Sequence, residues 1–204
     1  RYLQPGDQQH DFPQHAEFGF LVGLAHASYS NGAWAVYFYG GYANYYDRGG
    51  DNSVRLVRGG QSFGTLTTPS SDFTDNGDGT VTHKKTNLTW KRCAEGQTWS
   101  GATCIGTAGA YNYAQAVALS GSFAGKTDWR TPNIQELQSI VEYGAFYPAI
   151  NTTIFPNTPS SYFWSGSPYA YHSYYAWLVY FYYGYAYYYY RSNYYYVRLV
   201  RGGE

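Results

Sequence analysis

Apolar and polar residues alternate with a period of two at two places in the chain. Trp34, Val36 and Phe38, and again Trp177, Val179 and Phe181, occupy every second position, the spacing that puts side chains on one face of a strand. Both triplets are expected to be core. The segment VRLVRGG also occurs twice, with Val54, Leu56, Val197 and Leu199 on one face of a last strand and Val57 and Val200 on the other. Asp75 to Thr80, DNGDGT, reads as a hairpin turn between two short strands. A longer period appears at Ile134, Leu137, Ile140 and Val141, after Thr131 and Pro132, a capping residue followed by the pre-set φ of proline. A second, weaker helix is predicted from about Asn112 to Leu119, with Ala114, Val117 and Ala118 on one face. Two helices beside short strands predict an α+β fold.

The duplicated strands belong to a longer repeat. At an offset of 143 residues, Ala33 to Gly60 lies without gaps on Ala176 to Gly203, and 19 of the 28 positions are identical. Upstream the match holds at Phe12-Pro13 against Phe155-Pro156, Phe20 against Phe163 and Gly23 against Gly166. Residues 73 to 154 have no earlier counterpart. The predicted organisation is a partial repeat over residues 1 to 60, a linker over 61 to 72 and a complete domain over 73 to 204.

The differences between the copies fall into one chemical class. Gly40, Asn44, Asp47, Asp51, Asn52 and Ser53 face Tyr183, Tyr187, Tyr190, Tyr194, Tyr195 and Tyr196, while Gly49 faces Ser192, Gly50 faces Asn193 and Ala35 faces Leu178. Upstream, His26 faces Tyr169, Ser28 faces Tyr171, Tyr29 faces His172 and Asn31 faces Tyr174. Exchanging Asp for Tyr inside a packed fold would cost several kcal/mol through overpacking or unpaired polarity. These positions are expected to be exposed. Asn, Tyr, Asp, His, Ser and Gly are all reached from a pyrimidine-ending Asn codon by replacing its adenines. Lys, Glu, Gln, Met and Trp are not, and between Tyr169 and Tyr196 only the constant Trp177 belongs to that set. The pattern fits targeted adenine mutagenesis.

Composition sharpens this picture. The chain has 27 tyrosines, more phenols than a core can supply with hydrogen-bond partners, so most are expected at a surface. Tyrosine gives a large rigid contact area at small entropic cost, as in antibody binding loops. A net charge of zero, with 13% of residues charged, leaves no basic patch for nucleic acid. No stretch approaches the apolar length of a membrane span, and the first residues lack the plan of a signal peptide. Beginning at Arg1 and containing no Met, the chain reads as a mature or cleaved product.

Other candidate chemistry is weighed residue by residue. Cys93 and Cys104 are the only cysteines, and an even count in an exported protein favours a disulfide, worth roughly 3 kcal/mol for a loop of this size. A catalytic thiol would need a base, and no His lies between them. Asp75 and Asp78 resemble calcium ligands, but Gly77, Gly79 and Thr86 occupy places where that loop needs oxygen ligands and a final Glu. The five histidines, at 10, 15, 26, 83 and 172, have no metal-ligand spacing. Arg55, Arg58, Arg198 and Arg201 are expected to pair with local carboxylates or carbonyls. No catalytic constellation, metal or cofactor is assigned.

The stretches FTDNGDGTVTHKKTNLTWKRC (Phe73 to Cys93), KTDWRTPNIQELQSIVEY (Lys126 to Tyr143), PAINTTIFPNT (Pro148 to Thr158), YFWSGS (Tyr162 to Ser167) and the closing VRLVRGG resemble the DUF1566, or Lcl C-terminal, domain. That resemblance implies a C-type-lectin-like fold, although the Glu-Pro-Asn and Trp-Asn-Asp signatures of calcium-dependent sugar binding are absent. Some members of the family are variable proteins of diversity-generating retroelements. The implied reading is an extracellular, cell-surface or phage-borne binding protein that is not an enzyme, with a protein or glycan as its ligand. Its contact set would be Tyr169, Tyr171, His172, Tyr174, Tyr175, Tyr183, Tyr185, Tyr187, Tyr188, Tyr189, Tyr190, Tyr194, Tyr195 and Tyr196. A second variable set would comprise His26, Ser28, Tyr29, Asn31, Asn44, Asp47, Asp51, Asn52 and Ser53. The alternative is a structural subunit of an extracellular filament or adhesin, assembled with copies of itself through the N-terminal half-domain.

Overall fold

A computed structural model of the chain describes residues 20–38, 41–54 and 67–202. The N-terminal copy of VRLVRGG from Arg55 onward, the Phe12-Pro13 match, Gly40 and residues 61–66 of the expected linker lie outside the described residues. The described N-terminal part is a three-stranded antiparallel meander of β1 (Phe20–His26), β2 (Tyr29–Tyr37) and β3 (Tyr42–Asp47). From Thr68 the chain is tied to the main domain, where Thr68 N–H donates to Glu142 at 2.7 Å and Asn151 donates to the Thr68 carbonyl at 2.8 Å.

The main domain opens with β4 (Phe73–Asp75), β5 (Thr80–His83) and β6 (Leu88–Lys91), followed by a small ribbon of β7 (Thr98–Trp99) and β8 (Cys104–Ile105). Two short helices follow, α1 (Tyr113–Val117) and α2 (Ile134–Gln138). The chain then forms β9 (Tyr162–Pro168), β10 (Tyr175–Tyr180) and β11 (Tyr185–Tyr190), and closes with β12 (Val200–Arg201). The sheets run β12-β6-β5-β4 and β11-β10-β9, all antiparallel.

This architecture corrects the α+β, C-type-lectin-like expectation, because among the described residues four small antiparallel sheets dominate and each helix has only five residues. The helical spacing through Val141 is real but outlasts the helix. Gln138 is the last helical residue of α2; Ile140 and Val141 are buried by the turn that follows, and Val141 bridges to Ile150. The expected cap is also displaced. Thr131 spends its hydroxyl on the Ala116 carbonyl at 2.6 Å, and Asn133 caps α2 through a capping box with Glu136. In α1 the buried residue is Ala116, whereas Ala114, Val117 and Ala118 are exposed.

The hairpin expected at Asp75 to Thr80 is present between β4 and β5. Its carboxylates serve the turn: Asp75 accepts from Gly77 N–H at 2.9 Å and Asp78 from Thr80 N–H at 3.0 Å. Cys93 and Cys104 form a disulfide with their Cα atoms 5.4 Å apart.

The sheet of β9, β10 and β11 is buried on both faces, which explains how its neighbouring residues can all be core. Phe163 and Val179 enter one cluster with Leu137, Ile140, Phe155, Phe181 and Trp90. Trp164 and Leu178, one residue away in each strand, enter another with Trp129, Ala176, Val197 and Leu199. The period-two reading captured Val179 and Phe181 but missed Ala176 and Leu178 on the opposite face, while Trp177 is only half-buried. Arg198, wholly enclosed, donates to the carbonyls of Lys91 and Arg92 and to Thr158, and Arg201 pairs with Asp128 at 2.8 Å. Both arginines thus fill the local pairing role expected of them.

The repeat is structural as well as sequential. Trp34 pairs with Tyr45, Ala35 with Asn44 and Val36 with Ala43. Shifted by 143, the same register joins Trp177 to Tyr188, Leu178 to Tyr187 and Val179 to Ala186. What differs is the cover. Trp34 is buried, but Phe38 is 52% exposed and Val54 62% exposed, whereas their counterparts Phe181 and Val197 are fully buried.

Candidate binding surface

The tyrosines of the C-terminal copy are arranged by the β10–β11 hairpin. Because Tyr175 lies opposite Tyr190 and Trp177 opposite Tyr188, these four side chains share one face of the pleated pair. Their rings are in contact, with centroids 4.4 Å apart for Tyr175 and Tyr190 and 5.8 Å for Trp177 and Tyr188. Tyr169 stacks on Tyr188 at 4.0 Å and meets Trp177 edge-on at 5.4 Å. The loop of residues 170–174 rises from this floor and presents Tyr171, 68% exposed, and Tyr174, 75% exposed, with His172 beside them. Tyr190, against Tyr175, forms an exposed aromatic tip with this loop, and Tyr194 is exposed as well.

One cation secures the tip. Arg191 donates through Nε to the Tyr175 carbonyl at 3.0 Å and lies over the Tyr113 ring at 4.8 Å. Arg48 makes the equivalent bond to the Gly32 carbonyl at 3.2 Å. The identity of this arginine in both copies was the signal for its positioning role, and composition alone concealed it. Electrostatics at the tip are otherwise those of phenols. The Tyr175 hydroxyl is held above its ordinary pKa by its hydrogen bond with Tyr190 and by burial, and Tyr113 is raised by burial.

Many of the substituted positions are partly or wholly buried, on the tip's floor as well as on the other face, which corrects the expectation that every substituted position is exposed. Tyr169 is buried, and Tyr183, Tyr185, Tyr187, Tyr188, Tyr189, Tyr195 and Tyr196 are half-buried. Tyr196 packs against the first core cluster, and Tyr187, Tyr189 and Tyr195 pack against the second. Their aromatic area substitutes for aliphatic core at its rim. Tyr162, missed because it lies upstream of the varied stretch, stacks on Tyr180 at 4.0 Å and helps line a cleft of about 310 Å³ with Asn44, Tyr185, Tyr187 and Tyr189.

The second set is divided in the same way. Ser28, Tyr29, Asn31, Asp47 and Asp51 are exposed, and Asn44, Asn52 and Ser53 are half-buried. His26 is buried, with its ring 4.0 Å from Tyr45 and 5.9 Å from Tyr183 across the junction of the two copies. Among the described residues no group of His, Cys, Asp and Glu is placed to hold a metal ion, and no helix is long and apolar enough to cross a membrane.

Fold and surface together define a mostly β domain that carries an aromatic tip, accompanied by a second copy of its β10–β11 hairpin in β2 and β3. The chain belongs to the Lcl C-terminal domain family, which matches residues 79–201. No curated protein and no solved structure matches the chain.

Proposed function

We propose that this chain is a display protein that captures a protein or glycan ligand non-covalently through the aromatic tip, outside the cell or on a phage particle. The observation that carries the reading is the exposure of the Tyr171, Tyr174, Tyr190 and Tyr194 rings, with Tyr171 resting against Tyr169 and Tyr190 against Tyr175 above the Tyr169–Tyr188–Trp177 contacts. Aromatic anchors of this kind dominate binding energy in interfaces, and their rigid footing limits the entropy lost on binding. The variable class of residues at these positions supports diversification by adenine-directed mutagenesis. Sequencing the gene across a population is expected to find changes concentrated at codons for residues 169–174, 183, 187, 190 and 192–196. An even spread over residues 73–154 would overturn that part of the reading.

The binding test compares the native chain with a Tyr171→Ser/Tyr174→Ser/Tyr190→Ser/Tyr194→Ser chain on a glycan array and on a panel of immobilised surface proteins. Retention of at least one ligand by the native chain, weakened about tenfold or more by the four changes at unchanged melting temperature, is expected. Equal retention by both chains would place binding elsewhere. A second reading, a subunit of an extracellular assembly, is favoured by the exposure of Phe38 and Val54, whose counterparts are fully buried. It is distinguished by growth of the native chain's mass with concentration.

A further inference from the structure

The two copies meet through equivalent parts. Strands β3 and β11 correspond residue for residue at the 143-residue offset, and they pack on each other. A Cβ added to Gly41 would lie 3.9 Å from the Trp177 ring, and one added to Gly184 would lie 3.9 Å from the Trp34 ring. Gly41 corresponds to Gly184 and Trp34 to Trp177, so these are one contact made twice with the roles exchanged. The Tyr42 ring lies 5.7 Å from that of Tyr187, and the reciprocal pair, Asn44 and Tyr185, lines the shared cleft. A contact in which residue i meets j and j meets i is the signature of an isologous, twofold interface.

We infer that the face formed by Trp177, Gly184 and β11 is a self-recognition surface whose partner is a second copy of the same domain, and that the half-domain is its built-in occupant. The nature of the occupant follows from the residues themselves. The segment seated on this face is a copy of the face, and the residues that make the reciprocal contact, Trp34/Trp177, Gly41/Gly184 and Tyr42/Tyr185, are identical in both copies. The half-domain thereby caps the complete domain and keeps it from pairing with another. Tyr171, Tyr174 and Tyr194 lie outside β11, whereas Trp177 and Tyr190 belong both to this surface and to the aromatic tip.

The test uses the full chain with Trp34→Ala and Tyr42→Ala, both in the half-domain, so that the face on the complete domain is untouched. Whether the half-domain swings away or unfolds, β11 is uncovered. Light scattering over a concentration series is expected to show a monomeric native chain and a variant whose mass doubles. Adding Tyr187→Asp to the variant is expected to return it to monomer. The inference is overturned if the variant stays monomeric although hydrogen exchange shows that residues 20–47 have lost protection. It is equally overturned if those residues stay protected, since the reciprocal contacts then do not hold the copies together, or if Tyr187→Asp leaves the dimer intact.

Discussion

Arg198 shows how a polar residue can be fixed by packing. It is completely buried, lies over the Phe155 ring at 4.8 Å and spans the carbonyls of Lys91 and Arg92 and the hydroxyl of Thr158. Burial lowers its pKa to about 9, so it remains cationic at neutral pH. Its planar fork places donors on separate nitrogens that span these acceptors, whereas lysine concentrates its three donors on one nitrogen. Arg198→Ala is expected to cost about 3 kcal/mol, because buried acceptors lose their donor. Arg198→Lys should recover less than half of that loss. Urea denaturation midpoints check both, and a neutral Arg198→Ala would refute this account. The duplication of VRLVRGG marked the arginine as constant, but only the three-dimensional enclosure distinguishes it from Arg201, which meets Asp128 near the surface.

At the scale of elements, the readable features were those set by local chemistry. The Asp75–Thr80 turn was legible because Asp and Gly dictate its geometry, and the disulfide because only two cysteines exist. The repeat marked a strand at Trp34–Phe38 and another at Trp177–Phe181, and the structure pairs both into hairpins of common register. Tertiary demands hid the rest. Helix α2 stops at Gln138 while its apolar spacing continues, because Ile140 and Val141 are buried as readily by a turn as by a helix. The tyrosine positions were legible as a set, yet their division into exposed and half-buried residues depends on which strand face meets the cores.

The junction between the elements makes a pH prediction. His26 is buried against Tyr45 and Tyr183, and burial lowers its pKa below the ordinary 6.5. Its neutral form is the one that packs, so the stabilisation is fully present above about pH 6.5 and is lost as pH falls from there towards the depressed folded value. His83 in β5 is shifted in the same direction, so the described residues include two such groups. His26→Tyr, the residue at the matching position of the other copy, removes one of them. Protection of residues 20–47 is expected to fall on acidification in the native chain and to fall less in His26→Tyr. Identical pH profiles would exclude His26 as the sensitive group.

For the whole molecule, the decisive quantity is the absence of net charge. From Tyr169 to Tyr196 the only Lys, Arg, Asp or Glu is Arg191, and its guanidinium is engaged with the Tyr175 carbonyl and the Tyr113 ring. A tip of this kind has little to gain from long-range attraction and no counterions to release. Binding should therefore rest on burial of aromatic area and on short-range hydrogen bonds from phenols, with a negative heat-capacity change. The affinity for a ligand retained on the array is expected to change less than about threefold between roughly 0.05 and 0.5 M salt, where a contact to several phosphates would lose orders of magnitude. Titration calorimetry at several temperatures and two salt concentrations measures both quantities. A steep salt dependence would move the binding site away from the tip to the polar cleft of about 250 Å³ that contains Asp78, Lys126 and Arg201, because that cleft carries charges a salt-sensitive ligand could use.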